Sequence, residues 1–211
     1  MSKGRTDEGQ YGARRRALAA ARDVLRHRSY GSFSVEHVAK AAGLSRRTLY
    51  NQFEDRAELY RLARMELVAE LEGVLPREID CALPIGEAVE QFVCDASVAL
   101  AGDAHGQLRA AVGRDGAELP WLAAIYRERV IQPLEWAVER FLLQHAHGRS
   151  LTVDEPVTQA RRLVAMVMAA VAEPTAFHPA EITAIFLERL ERPSLQTVNS
   201  SVDLLPVRPS A

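Results

Sequence analysis

Cysteine is nearly absent from the 211 residues: only Cys81 and Cys94 occur. Two cysteines support neither a disulfide framework nor a thiolate zinc site, and nothing around either predicts a stabilised thiolate. The pattern predicts a reduced, cytoplasmic protein. Long apolar runs are also missing. The longest, Leu163 to Ala172, has ten residues, about half of the ~20 that a membrane-spanning helix needs. The first ten residues are polar and charged, which predicts no secretory leader. No glycine-rich phosphate loop, nucleophile motif or metal-ligand cluster occurs, and His145, His147 and His178 lack ligand spacing on one helix. No catalytic residue, cofactor or metal is therefore expected.

What is present is an ordinary globular balance: 48% hydrophobic and 26% charged residues, enough to bury a substantial core in one large domain or two small ones. The net charge of −2 hides an asymmetry. Residues 1–56 carry 12 Lys+Arg against 6 Asp+Glu, a net +6, and the remainder carries 14 against 22, a net −8. A basic quarter on an acidic body points to a polyanion partner at one end.

Period-2 alternation is nowhere convincing, whereas 3.6-residue periodicity recurs, so the fold is expected to be all-α. From Ala13 to His27, Leu18, Ala21, Val24 and Leu25 mark one face and arginines fill the others. Tyr30-Gly31-Ser32 ends that helix. A short helix is predicted over 35–42 with Ser34 as N-cap, a second from the cap Ser45 to about Gln52, and a fourth from Asp55 to Gly73. Beyond Pro76, helices are predicted at about 85–101, 105–114, 119–145, 154–173 and 180–191, with Pro133 kinking the long one. The domain reading is a mobile arm over 1–10, a first helical domain over 11–71, a second over 72–192, and a mobile tail over 193–211.

The segment from Ser34 to Phe53 fits a helix-turn-helix on physical grounds. Val38 and the small Ala39 face inward where two helices cross, and Gly43 tolerates the positive φ of a tight turn. Leu44 and Leu49 supply the apolar side of the second helix. Arg46, Arg47, Tyr50 and Asn51, spaced i, i+1, i+4, i+5, project from another side. Two guanidiniums, a phenol and an amide on one short helix suit a DNA surface.

At these residues the chain resembles the DNA-binding domain of the TetR (tetracycline-repressor-like) regulators. The likeness runs over 14–60, through Ser34-Val-Glu-His-Val-Ala, Ala-Gly-Leu-Ser, Thr48-Leu-Tyr-Asn-Gln-Phe53 and Arg56-Ala-Glu-Leu59. Two positions depart from the family pattern. Ser29 stands where a glycine usually ends the first helix, which costs roughly 1 kcal/mol if a left-handed residue is required there. Arg56 replaces the usual lysine at the start of the fourth helix.

The resemblance implies that the second motif helix enters the major groove. Arg46 and Arg47 are the candidates for base readout, with phosphate contact as the alternative. Thr48, Tyr50 and Asn51 would position the backbone, Tyr50 alternatively packing inward. Ser34 and Ser45 would aim helix N-termini at phosphates or act as plain caps, and Arg56 would neutralise a phosphate. Leu163–Ala172 is apolar on every face, so it should be buried on every face, between its own core and a second subunit. The last two helices would then form an intersubunit four-helix bundle. Phe92, Leu108, Trp121, Tyr126, Trp136, Met166 and Phe177 are candidates to line a pocket for a mostly apolar small-molecule effector. The expected function is a homodimeric, ligand-responsive repressor on a palindromic DNA operator. The alternative is a DNA-binding interaction protein without an effector.

Overall fold

The computed structural model describes residues 3–147, 155–173 and 178–191. Among these, helices account for all regular structure and no strand occurs. The chain runs α1 (Lys3–His27), a 3₁₀ turn (Tyr30–Ser32), α2 (Val35–Ala42), α3 (Arg46–Tyr50) and α4 (Arg56–Glu72). It continues through α5 (Ile85–Ala101), α6 (Asp103–Asp115), α7 (Pro120–Tyr126), a π turn (Arg127–Ile131), α8 (Gln132–His147), α9 (Pro156–Ala172) and α10 (Pro179–Glu191).

The first four helices build the head. α1 presents Ala13, Ala17, Ala20, Ala21 and Leu25, a stripe of mostly small buried residues. That stripe allows close packing against both α2 and α4. Phe33, Val38, Leu49, Phe53 and Leu59 fill the space between. Helix α1 begins ten residues before the periodicity that marks it, so the arm read over 1–10 is helical from Lys3. Its first turns carry no apolar stripe, which is why the sequence pattern misses them.

Gly43 follows α2 with φ 63°, and the amides of Gly43 and Leu44 close onto the carbonyls of Lys40 and Ala39. This is the left-handed ending that glycine allows without cost. A Cβ at Gly43 would meet nothing within 4 Å. Gly43→Ala is therefore expected to cost about 1–2 kcal/mol through backbone strain alone, measured as a shift in urea midpoint at unchanged slope. The corner at Ser29 is built without such strain. Ser29 is extended (φ −76°, ψ 167°) and leads into the 3₁₀ turn, so no glycine is needed.

In the body, α5 lies against α6, α9 and α10, while α8 packs along α9. Phe92, Leu108, Leu122, Val138, Phe141, Val164 and Phe186 belong to one buried cluster continuous with the head. The single helix expected over 119–145 is instead interrupted. The Gln132 N–H bonds to the Arg127 carbonyl, five residues back, which makes the π turn. The register shift puts Pro133 in the first turn of α8, where a missing N–H leaves little unsatisfied.

Helix α9 is not buried on every face within one chain. Leu163, Val164, Val167 and Ala170 are core, whereas Ala165, Ala169 and Ala172 line an exposed stripe. The run is apolar all round because its outer face is alanine.

Candidate nucleic-acid interface

Each helix of the motif starts on a serine. The Ser34 hydroxyl accepts the His37 N–H at 3.3 Å, and Ser45 accepts the Thr48 N–H at 3.0 Å. Asp55 caps α4 in the same way, accepting the Glu58 N–H at 2.7 Å. These caps satisfy amides that the first helical turns leave free. Thr48 Oγ1 lies 2.8 Å from Ser45 Oγ, so its hydroxyl already has a partner at the cap.

Helix α3 is a turn and a half, anchored through Leu49 to the core. Its remaining side chains point outward. Arg46, Arg47, Tyr50 and Asn51 are all exposed, and Tyr50 keeps 56% of its surface, so it does not pack inward. The two arginines differ. Arg46 Nη1 reaches Glu36 Oε1 at 2.9 Å, tying α3 to α2. A hydrogen bond at the residue's own backbone, then Arg46, holds the Glu36 carboxyl below its usual range. Arg47 has no ion-pair or hydrogen-bond partner among the described residues. It is the unencumbered guanidinium of this outward face.

Arg56 faces inward. Its Nη1 donates to the carbonyls of Tyr30 at 3.3 Å and Phe33 at 3.2 Å, and its guanidinium covers the Tyr30 ring at 4.2 Å. Its donors therefore serve the turn between α1 and α2, a role the sequence pattern did not signal. Arg14, read only as a surface arginine, also supports the head. It donates to the Gln52 carbonyl at 2.6 Å and lies 4.8 Å from the Phe53 ring centroid, fixing the end of α3 against α1. Arg15, Arg16, Arg28 and Lys40 are exposed near the motif, without ion pairs among the described residues. Scattered surface cations of this kind carry no spacing signal in the sequence.

Among the described residues, the six effector candidates other than Phe177 do not line one common pocket. Phe92 and Leu108 are core, and Trp121 packs edge-on to Tyr60 with ring centroids 6.2 Å apart. Met166 is half-buried on α9. Trp136 is 56% exposed and lines a shallow groove of about 670 Å³ with Glu139, Arg140, Leu143 and Gln144. Phe92 borders a separate cleft of about 140 Å³ beside Glu78–Asp80. Phe177 lies outside the described residues. Periodicity identifies aromatic positions but not which helices converge, so it could not separate core from groove.

Tyr126 belongs to a polar pair within the body. His105 is buried, with Nδ1 donating to the Leu100 carbonyl and Nε2 at 2.8 Å from the Tyr126 hydroxyl. Burial pushes the Tyr126 phenol up to about 12 and lowers the His105 imidazole from its ordinary 6.5. Below 6.5 the unfolded chain binds a proton at this residue more readily than the folded one. Stability is expected to fall as pH drops below about 6.5, with a slope of at most ~1.4 kcal/mol per pH unit from this proton. His105→Gln should flatten that limb in denaturant titrations. An unchanged slope would assign the pH dependence elsewhere.

Residues 17–63 match the family model for bacterial regulatory proteins of the tetR family. Comparison with curated proteins gives no match. Among solved structures, the chain is similar to a putative TetR-family transcriptional regulator from Mesorhizobium loti, with 18% identity, 86% of this chain and 96% of that one covered, and a TM-score of 0.62. It is similar to the flavonoid-responsive regulator FrrA at 18% identity, covering 84% and 94%, with a TM-score of 0.66. For GusR from Salmonella enterica the values are 16% identity, 85% and 96% coverage, and a TM-score of 0.63. At these identities the likeness is one of fold.

Proposed function

We propose that the chain is a DNA-binding transcriptional regulator of the tetR family, whose model matches residues 17–63, acting as a homodimeric, ligand-responsive repressor of a palindromic operator. The observation that carries the reading is the pairing of a capped helix-turn-helix with an outward Arg47, Tyr50 and Asn51 on α3. That helix presents two guanidiniums to a groove whose guanine edges accept bidentate arginine bonds. Arg46 joins the readout by exchanging Glu36 for DNA, while Ser34, Ser45, Thr48 and Arg56 act by holding the motif in shape. The protein works in the cytoplasm, without a cofactor or metal, and no enzymatic step is proposed.

Dimerisation through α9 and α10 is supported by the exposed stripe of Ala165, Ala169 and Ala172, beside the partly exposed Ile185 of α10. Small residues let two helices approach closely. A two-fold dimer would set two reading heads about 34–36 Å apart, one DNA turn. The effector is proposed to be a small, mostly apolar molecule bound among the body helices, where apolar residues predominate. FrrA is by name flavonoid-responsive, and a comparable response here would be a shift between dimer geometries. Selection of bound duplexes from a random pool tests the reading. An enriched palindrome with half-sites one turn apart is expected, and the absence of any preferred sequence would overturn it.

A further inference from the structure

The seam between head and body buries two opposite charges that neither DNA contact nor apolar packing explains. Asp115, the last residue of α6, is 2% exposed. Its carboxylate accepts the Tyr60 hydroxyl at 2.6 Å and the Tyr30 backbone N–H at 3.0 Å. Arg64 of α4 is 1% exposed, 5.0 Å from the Tyr60 ring centroid, and donates one long bond of 3.5 Å to the Leu25 carbonyl. Its Nε and Nη1 have no partner, and no ion pair joins it to Asp115 among the described residues.

Tyr30 opens the turn that carries the chain from α1 into α2. On its carbonyl side it is held by Arg56 of α4. On its amide side it is held by Asp115 of α6. Next to this clamp, Arg114 donates to the Leu25 carbonyl in the last turns of α1 at 3.4 Å. Ser34, which caps α2, follows four residues after Tyr30. The body therefore reaches the entrance of the helix-turn-helix directly, in addition to the contact of α6 with α4.

We propose that Asp115 is a positioning residue for DNA reading, which transmits displacements of α6 to α2 and α3 through the Tyr30 amide. The proposal rests on the regulator reading above. A buried cation with two orphaned donors beside the same tyrosine makes the seam a joint with unsatisfied bonding capacity, which a shift of α6 can repartner. Linkage is reciprocal, so DNA itself can serve as the probe: what α6 does to the head, the occupied head must do to α6.

The test is hydrogen exchange on the full chain, with and without a duplex obtained by selection. In the unmutated protein, DNA is expected to slow exchange in α3, at the Tyr30 amide and in the last turn of α6 around 112–116. Asp115→Leu keeps roughly the same volume but accepts from neither donor. It is expected to retain protection of α3, lose that of α6, and bind the duplex about ten-fold more weakly. Tyr60→Phe removes the other hydrogen bond to the same carboxylate but leaves the Tyr30 contact, so it should keep the α6 response. An α6 response unchanged in Asp115→Leu, or lost equally in Tyr60→Phe, would overturn the proposal. If Asp115→Leu does not fold, the unmutated protein decides: the Tyr30 amide and residues 112–116 must gain protection at the same DNA concentration, and independent responses refute it. Failure of every duplex to protect α3 would remove the regulator reading, and this proposal with it.

Discussion

Val167→Glu is expected to unfold the protein or leave it barely stable. Val167 is 1% exposed, on the inner face of α9 among Leu163, Val164 and Ala170. A carboxylate there has no cation within the apolar cluster, and an uncompensated buried charge costs about 3–5 kcal/mol. That is a large fraction of the ~5–15 kcal/mol that holds a typical domain together. Chemical denaturation followed by circular dichroism should show a midpoint moved far toward zero denaturant; a shift below about 1 kcal/mol would mean that this helix is less tightly packed than its burial indicates. Ala169→Glu, two positions on, separates core from interface. Ala169 is exposed in the single chain, so the subunit should stay folded while the proposed dimer is split by like charges meeting across its axis. Light scattering should report twice 23.3 kDa for the unmutated protein and 23.3 kDa for this variant. A monomeric mass for both would refute the proposed dimer.

Arg47→Ala is expected to produce the largest loss in DNA binding of any single truncation on α3, about 1–3 kcal/mol per half-site if the guanidinium reads a base. Arg47 has no partner to give up before it binds, so its contacts with DNA are not offset by a broken ion pair. Arg46 starts paired with Glu36. Exposed pairs of this kind are worth roughly 0–1 kcal/mol, so Arg46→Ala should cost less by about that amount. Specificity distinguishes the two modes of contact. Base readout by Arg47 relaxes preference at one position of each half-site. Phosphate contact instead weakens binding evenly across sequences and lowers the salt slope by about one. Equal affinities of Arg47→Ala and the unmutated protein would exclude Arg47 as a DNA contact.

The head was legible because its determinants are local. Ser34, Gly43, Ser45 and Asp55 act within four residues of themselves, through caps and one left-handed turn. Spacing along the chain therefore encodes them. The helical periods of α2, α5 and α10 likewise report one buried face, and the boundaries at Val35–Ala42 and Ile85–Ala101 follow from it. The outer alanines of α9 leave one point open for a related reason. Composition records hydrophobicity, but an alanine serves an open surface and a close helix contact equally well.

What the sequence by itself determined, then, is the all-α architecture, the helix-turn-helix and the outward residues of its second helix, since each depends on contacts a few residues apart. Tertiary structure alone decided that Arg56 turns inward to Tyr30 and Phe33, and that Arg46 is paired while Arg47 is free. It also decided that the aromatic residues of the body are scattered between core and groove, and that Asp115 reaches Tyr30 across 85 residues of sequence. Such contacts are set by the relative placement of whole helices. A hydrogen bond between residues far apart in sequence leaves no period along the chain, because its partners meet only once the apolar faces have packed.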